Sequence, residues 1–299
     1  MSKIIITVPA TSANLGPGFD SMGIALDLYN KFTFEKKEKF EYINVLEKYA
    51  NENNLVIKSA VRTYEYLGIE TIPFSLEETE DVPISRGLGS SATCIVAGIL
   101  AANYFAGNKL SDQDIIKIAT EIEGHPDNVA PAILGGLVSA VVLEDEIVYT
   151  KYNVGTNLMF TVCVPNFQLS TARARAALPK RLSYSDVVYS LSRAINIPST
   201  IESGDVKKLY KILDDKIHEP YRIKLIQESA RFKEFSKRQR IPLCISGSGS
   251  TLLFITDKEI ESKLCNMKFK NNWYFKTLKP NSCGATLEVL DEEWFFNCS

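Results

Sequence analysis

The distribution of hydrophobic and polar residues in the first half of the chain predicts a strand followed by helices. Lys3 to Val8 is rich in β-branched residues, which predicts a buried strand that ends at Pro9. Residues 54–67 carry apolar side chains at helical spacing before Gly68, so we expect a helix that stops at this glycine. Residues 91–105 are apolar on nearly all sides, which predicts a buried helix.

Further elements follow from capping and periodicity. Ser111 to Asp114 is typical of a helix cap, and the apolar residues after it predict a helix that ends at Gly124. We also expect helices at residues 186–195 and 205–217, strands at residues 136–143, 158–164 and 273–278, and a strand, Gly-Ser loop, strand unit at residues 242–255. Helices and strands do not alternate regularly, so the predicted class is α+β in two domains that join in the polar segment between residues 143 and 158.

Composition excludes several kinds of partner. The 299 residues include 34 Lys and Arg against 36 Asp and Glu, so the formal charge of -2 gives no general attraction to nucleic acid or anionic membranes. The six cysteines, among them Cys298, form no CxxC pair, which favours reduced thiols over a zinc site or a disulfide framework. We find neither a signal-peptide pattern nor a membrane-spanning segment, and expect a soluble cytoplasmic protein.

The segment PISRGLGSSAT, residues 83–93, is the first candidate for chemistry. Its glycines allow close backbone approach to a ligand, and the following helix directs free N–H groups and its positive end toward an anion. Gly87 to Ala92 also fits the dinucleotide pattern G-x-G-x-x-A, but the preceding residues are acidic and then Pro83-Ile84-Ser85-Arg86 rather than a buried strand. No Gly-Lys-Ser/Thr and no G-x-S-x-G follows. A phosphate-binding loop is favoured, with a plain helix start as the alternative.

Three segments together resemble a known family. PATSANLGPGFD (residues 9–20), PISRGLGSSAT and SGSGS (residues 246–250) are similar in order and spacing to the motifs of the GHMP kinases, the group named for galactokinase, homoserine kinase, mevalonate kinase and phosphomevalonate kinase. Residues 9–20, EGHPDNVAP (123–131), STARAR (170–175) and HEPYR (218–222) resemble the members that act on L-homoserine. The resemblance implies transfer of the γ-phosphoryl group of ATP, with Mg²⁺, to the side-chain hydroxyl of L-homoserine, a step toward threonine.

The resemblance also implies a fold. It predicts an N-terminal ATP-binding domain over residues 1–155 with a left-handed βαβ unit, and a C-terminal ferredoxin-like domain over residues 156–299 whose last residues can pack back on the first domain. A homodimer is a further expectation from the family.

Nucleotide and metal sites are carried over residue by residue. Ser90 and Glu123 are the expected Mg²⁺ ligands, since hard oxygen donors suit this ion. Asn54 resembles the family's adenine contact, and a helix N-cap is an equally good interpretation of this residue. The nucleotide-binding residues implied are Asn54, Pro83, Ile84, Ser85, Arg86, Gly87, Leu88, Gly89, Ser90, Ser91, Ala92, Thr93, Gly247, Ser248 and Gly249.

The amino-acid substrate is expected beside a second group of residues. Arg175 and Arg222 can bind its carboxylate as planar forks, with Arg173 as the local competitor of Arg175. The substrate-binding residues implied are Asn14, Asp20, His125, Asp127, Arg175 and Arg222, and the catalytic residues are Asn14, Asp20 and Asn128.

An asparagine stands where related mevalonate kinases carry an aspartate base. Because Asn128 takes no proton, we expect the substrate hydroxyl to lose its proton late, to phosphate or solvent. The alternatives are a GHMP kinase for another small alcohol such as mevalonate or shikimate, a non-catalytic GHMP-like binding protein, and a nicotinamide enzyme.

Overall fold

The protein is described here by a computed structural model that covers residues 3–144 and 146–290. Its strands are β1 (Lys3–Ala13), β2 (Met22–Lys36), β3 (Glu41–Ile43), β4 (Phe74–Glu80), β5 (Leu137–Val142), β6 (Ile147–Tyr152), β7 (Met159–Pro165), β8 (Leu243–Ile245), β9 (Leu252–Thr256), β10 (Trp273–Leu278) and β11 (Thr286–Leu290). Its helices are α1 (Leu55–Leu67), α2 (Ser90–Phe105), α3 (Asp112–Glu123), α4 (Pro126–Leu134), α5 (Thr171–Ala176), α6 (Tyr184–Ala194), α7 (Ile197–Ser203), α8 (Val206–Ile212), α9 (Glu219–Arg222), α10 (Ser229–Gln239) and α11 (Glu261–Cys265).

The strands form two sheets, and the fold is mixed α+β as predicted. The first sheet has the order β11-β1-β2-β4-β3, and β5 joins it through β2 and pairs with β6. The second has the order β10-β7-β9-β8 with antiparallel pairing throughout. Numbered from β7, this is the order 4-1-3-2 of a βαββαβ unit, the arrangement of ferredoxin-like domains.

The last described strand returns to the first sheet. β11 pairs antiparallel with β1, with Ile4 opposite Val289. The first sheet therefore contains β11, from beyond residue 156, together with strands from before residue 155. The division into two domains at residues 155 and 156 stays a prediction.

Four hydrophobic clusters hold the described layers together, and the smallest packs Ile116 of α3 against Ala140 and Ile147. One packs α1, α2 and α3 on the first sheet, and another packs α10 on the second sheet. A third cluster joins the two sheets, since Ile24 and Leu26 of β2 lie in the same cluster as Phe160 and Leu253 of the second sheet. The shared cluster fixes the relative positions of the loops that face it.

Several sequence predictions are confirmed at the level of single residues. α1 begins after Asn54, whose side chain caps it, and ends at Gly68 in the left-handed conformation. The cap of α3 is a complete capping box between Ser111 and Asp114, and the helix ends at Gly124. The strand predicted at residues 273–278 has the predicted bounds. Local capping chemistry and alternation suffice for these elements.

Other predictions are wrong for identifiable reasons. Pro9 does not end β1, because the register shifts between Pro9 and Ala10, and an irregular position tolerates a proline without a donor. The helix expected at 205–217 stops at Ile212, because the Asp215 carboxylate accepts hydrogen bonds from the backbone N–H groups of residues 217–219 and starts a new turn.

Five of the described strands were not predicted, namely β2, β3, β4, β6 and β11. β6 lies in the segment expected to be a polar junction and pairs with β5 along six residues. β2 is the central strand of the first sheet, and the alternation of Phe32 and Phe34 with polar residues is the signal that would have found it.

Two further expectations concern the chain as a whole. Within the described residues the thiols of five cysteines are free, and Cys298 lies outside those residues. In residues 3–144 and 146–290, none of the helices is both long and apolar enough to traverse a lipid bilayer.

Candidate active site

A cleft of about 310 Å³ collects most of the predicted residues. Its walls come from the loop after β1, the loop before α2, the turn between α3 and α4, and the second half of the chain. The lining residues are Asn14, Asp20, Tyr49, Asn54, Leu55, Glu78, Glu80, Ile84, Ser85, Gly87, Gly89, Ser90, Ser91, Cys94, Glu123, His125, Asp127, Asn128, Thr171, Arg175, Arg222, Gly247 and Ser248.

The loop before α2 is built from glycines because other segments press against it. A Cβ atom on Gly89 would collide with Thr11 Oγ1, and one on Gly87 would collide with the carbonyl of Ser246. Both glycines have positive φ, and Gly89 caps α2 without a side chain. The N–H groups at the start of this 16-residue helix therefore face the cleft without a side-chain cap, which suits an anion.

The residues predicted for the loop divide into two groups. Six of them line the cleft, namely Ile84, Ser85, Gly87, Gly89, Ser90 and Ser91. Leu88, Ala92 and Thr93 are fully buried, so only their backbone can face a ligand. Arg86 donates to the carbonyl groups of Pro165 and Asn166 and so ties this loop to the second sheet. Two predicted nucleotide contacts, Pro83 and Gly249, do not line the cleft.

The first motif reaches the cleft through strained backbone. Asn14 and Asp20 both have positive φ, at 73° and 55°, a region that residues other than glycine seldom adopt. The Asn14 side chain accepts a hydrogen bond from the Asp20 N–H at 2.9 Å and donates to the Gly247 carbonyl at 2.8 Å. Asn14 thus joins the first and third glycine motifs at one point.

Arg175, rather than Arg173, lies in the cleft. Its guanidinium donates two hydrogen bonds to the Asp20 carboxylate, at 2.9 and 3.0 Å. This bidentate pair raises the pKa of Arg175 above its usual value. Arg173 is exposed and is not among the residues that line the cleft. The geometry therefore separates two residues that the sequence left in competition.

Arg222 is a buried cation without an ion-pair partner. It is 2% exposed, and in the described part of the chain no carboxylate oxygen lies within 4.0 Å of its guanidinium. Nη1 lies 3.3 Å from His218 Nδ1 and donates to the Gly247 carbonyl at 3.3 Å, while Nε has no partner there. Burial lowers the pKa of Arg222. A buried charge of this kind is stabilised by an anionic ligand.

The turn between α3 and α4 supplies Glu123 and His125. Glu123 accepts a hydrogen bond from Ser91 Oγ at 2.8 Å, and burial raises the pKa of its carboxyl. Ser91, which was predicted as a nucleotide contact, is therefore the serine that holds Glu123, while Ser90 lines the same cleft. His125 Nδ1 lies 2.5 Å from Asp127, and this contact raises the pKa of His125.

Asn128 is held in place from the first strand. Its Oδ1 accepts a hydrogen bond from Thr11 Oγ1 at 2.8 Å, its Nδ2 donates to Asp127 Oδ1 at 3.4 Å, and the residue lines the cleft. The amide cannot serve as a base, as the sequence indicated.

Asn54 caps a helix and lines the cleft, while its contact with adenine stays a prediction. Its Oδ1 caps α1 by accepting from the N–H groups of Val56 and Ile57, and the residue also lines the cleft. Its Nδ2 lies 3.5 Å from Glu78, a residue that sequence reasoning missed. Burial raises the pKa of Glu78 to about 7. Glu78 lies on the same face of β4 as the buried residues Phe74 and Leu76. An acidic residue at such a core-facing position is the sequence signal that would have identified Glu78 as a candidate site residue.

The fold and the glycine loops define a class of protein. Residues 54–136 match the family described as GHMP kinases N terminal domain. A solved structure of homoserine kinase from Cytophaga hutchinsonii superposes with a TM-score of 0.84 at 27% identity, covering 96% of this chain and 97% of that one. The chain has the fold of a GHMP kinase.

Proteins with similar sequences indicate which kind of GHMP kinase this chain resembles. The homoserine kinase of Clostridium beijerinckii is 41% identical over 288 residues, which cover 95% of this chain and 96% of the relative. That of Clostridium botulinum is 36% identical over 289 residues, covering 94% of this chain and 97% of the relative. The chain belongs to the homoserine kinase family.

Proposed function

We propose that the protein transfers the γ-phosphoryl group of ATP to the side-chain hydroxyl of L-homoserine, giving O-phospho-L-homoserine for threonine biosynthesis. The observation that carries the proposal is Arg222, a buried guanidinium without an ion-pair partner in residues 3–144 and 146–290, which lies in one cleft with a glycine-rich phosphate loop. The names of the relatives, homoserine kinases over nearly the whole chain, support the same substrate.

The amino acid would bind at the end of the cleft that carries the two arginines. Arg222 and Arg175 are the cations for the α-carboxylate, and a planar guanidinium matches a carboxylate through two parallel hydrogen bonds. Asp20 and Asp127 line the same cleft and are the acidic groups available for the α-ammonium. This pairing of charges favours an α-amino acid over mevalonate or shikimate, which carry a carboxylate but no ammonium group.

The phosphates of ATP would lie on the loop from Gly87 to Ser91 at the start of α2. Glycine backbone and helix N–H groups stabilise phosphate oxygens there. The nucleoside would then extend toward Asn54, which lines the cleft beside Leu55.

Mg²⁺ fits the donors present. Among the described residues there is no cluster of three or more His, Cys, Asp or Glu side chains suited to a metal. Mg²⁺ bound with ATP needs only one or two protein oxygens, because phosphates and water complete its shell. Glu123 and Ser90 would hold it, and the ion would neutralise the charge of the phosphates during transfer. The half-buried carboxylate of Glu123, which has Ser91 as its hydrogen-bond partner, supports this assignment.

Catalysis would depend on orientation rather than on a strong base. Phosphoryl transfer requires mainly alignment of the attacking oxygen and stabilisation of charge. Asn14, Asp20 and Asn128 line the cleft and can orient the hydroxyl. Asp20 already accepts both hydrogen bonds of Arg175, which weakens it as a base. We infer that the hydroxyl proton leaves late, to phosphate or solvent.

A coupled ADP-release assay with L-homoserine, mevalonate and shikimate tests the proposal. We expect turnover with L-homoserine that requires both ATP and Mg²⁺, and kcat/KM at least about 10²-fold lower with the other two alcohols, since each leaves polar groups of the cleft unpaired. Absence of turnover with millimolar homoserine would falsify the assignment. A cytoplasmic location and a homodimer remain predictions.

A further inference from the structure

The ring of Phe19 lies among the charged groups of the cleft, although no motif assigned it a role. It is half-buried at the end of the loop after β1. The Arg222 Cζ atom lies 4.9 Å from its ring centroid, and the Arg175 Cζ atom lies 5.6 Å away. The His218 ring stacks on it at 4.9 Å, with an interplanar angle of 21°. One aromatic ring thus contacts both cations that face the cleft.

Two guanidinium groups beside one ring need a stabilising partner. The two positive charges repel each other, and the proximity of Arg175 contributes to the lowered pKa of Arg222. The negative face of an aromatic ring attracts cations within about 6 Å of its centroid. Phe19 therefore offsets the repulsion between the arginines without occupying a hydrogen-bond donor of either one. The Arg222 Nε–H group, which has no partner among the described residues, stays free for an acceptor.

The histidine beside Phe19 fixes the orientation of Arg222. His218 is fully buried, and burial lowers its pKa, so its ring is neutral at neutral pH. A neutral ring has one donor and one acceptor. Nε2 lies 2.8 Å from the Gly16 carbonyl and must donate to it, so Nδ1 is the acceptor that faces Arg222 Nη1. Phe19 stacks on a ring that is tied to both the first motif and α9.

We propose that Phe19 is a positioning residue for the substrate carboxylate, because its ring holds the guanidinium groups of Arg175 and Arg222 in place to bind that carboxylate together. The inference rests on the proposed function, in which the two arginines bind the α-carboxylate of L-homoserine. Asp20 follows Phe19 directly and pairs with Arg175, so two adjacent residues hold the same arginine. A displacement of either guanidinium group should weaken binding of the homoserine carboxylate more than binding of the ATP phosphates.

The test is a kinetic comparison of Phe19→Leu, Phe19→Met and Phe19→Tyr with the wild-type protein. Loss of the ring is expected to raise KM for L-homoserine about tenfold, which is about 1.4 kcal/mol. We expect KM for ATP to stay within twofold and kcat within threefold. Phe19→Tyr keeps a ring and should restore KM for homoserine to within twofold of wild type. Methionine fills similar space without a ring, so it repeats the test if the leucine variant folds poorly.

Phe40→Leu is the matched control, because Phe40 is also half-buried and contacts the ring of Phe74 rather than an arginine. It should leave both KM values unchanged. A KM for homoserine within twofold of wild type in Phe19→Leu or Phe19→Met overturns the positioning role, as does an equal rise in both KM values. Wild-type protein that releases no ADP with homoserine overturns the proposed function instead, so the two failures are distinguishable.

Discussion

Replacement of Arg222 by methionine should separate activity from stability. The guanidinium is buried with no carboxylate within ion-pair distance among the described residues, and its two hydrogen bonds are long, at 3.3 Å each. Burial of a charge costs several kcal/mol, whereas the Gly247 carbonyl keeps a second donor, Asn14 Nδ2, at 2.8 Å. We therefore expect the Tm of Arg222→Met to equal or exceed that of wild type.

Activity should change in the opposite direction. A bidentate arginine supplies two charge-assisted hydrogen bonds to a carboxylate, each contributing about 1.5 kcal/mol or more. Loss of about 3 kcal/mol lowers kcat/KM for L-homoserine about 10²-fold. The assay is ADP release over a range of homoserine concentrations, together with a thermal unfolding scan of the same sample.

Arg193→Met is the matched control. Arg193 also carries a buried Nε atom without a partner, and its guanidinium lies over the Tyr189 ring, outside the cleft. Its kcat/KM should stay within twofold of wild type. The reasoning is refuted if Arg222→Met keeps wild-type kcat/KM, or if its Tm falls by as much as that of a core truncation.

Three further changes test separate parts of the cleft. Glu123→Gln keeps the shape of the side chain but removes its charge, so turnover at saturating Mg²⁺ should fall about 10²-fold or more. The control is Glu121→Gln, on the exposed side of α3. A near-normal rate for Glu123→Gln contradicts the metal role. Because burial raises the pKa of Glu78 to about 7, the folded state favours its neutral form, and stability is lost as pH rises from about 4.5 through 7. Glu78→Gln should therefore be more stable than wild type by about 1 kcal/mol at pH 8 and show a smaller difference at pH 5; equal differences in Tm at both pH values refute the pKa shift. Asn54→Ser keeps an N-cap oxygen and should preserve Tm while it raises KM for ATP, whereas Asn54→Ala should lose about 1 kcal/mol of stability as well. An unchanged KM in Asn54→Ser leaves Asn54 as a cap alone.

Local chemistry in the sequence was enough to predict much of the fold. The cap at Ser111, the stop at Gly68 and the alternation in residues 273–278 depend on neighbours within a few residues, and each is found where it was predicted. The stop at Ile212 was missed because it depends on the hydrogen bonds that Asp215 accepts. The pairing of β11 with β1 joins residues near opposite ends of the chain, which periodicity does not specify.

The candidate site shows the same limit. Glycines, serines and arginines that resemble a family motif could be found one segment at a time. Which arginine enters the cleft depends on Asp20, which is 155 positions from Arg175. Phe19 has no signal in the sequence beyond its place in the first motif, because its neighbours come from α5 and α9. Partners that are distant in sequence decide these details.

Phosphorus NMR of the wild-type protein with ATP, Mg²⁺ and L-homoserine tests the central claim most directly. We expect a new phosphomonoester signal that grows in step with ADP and is absent when homoserine is omitted. Formation of ADP with inorganic phosphate alone, or no loss of ATP at millimolar homoserine, would contradict phosphorylation of homoserine by this cleft.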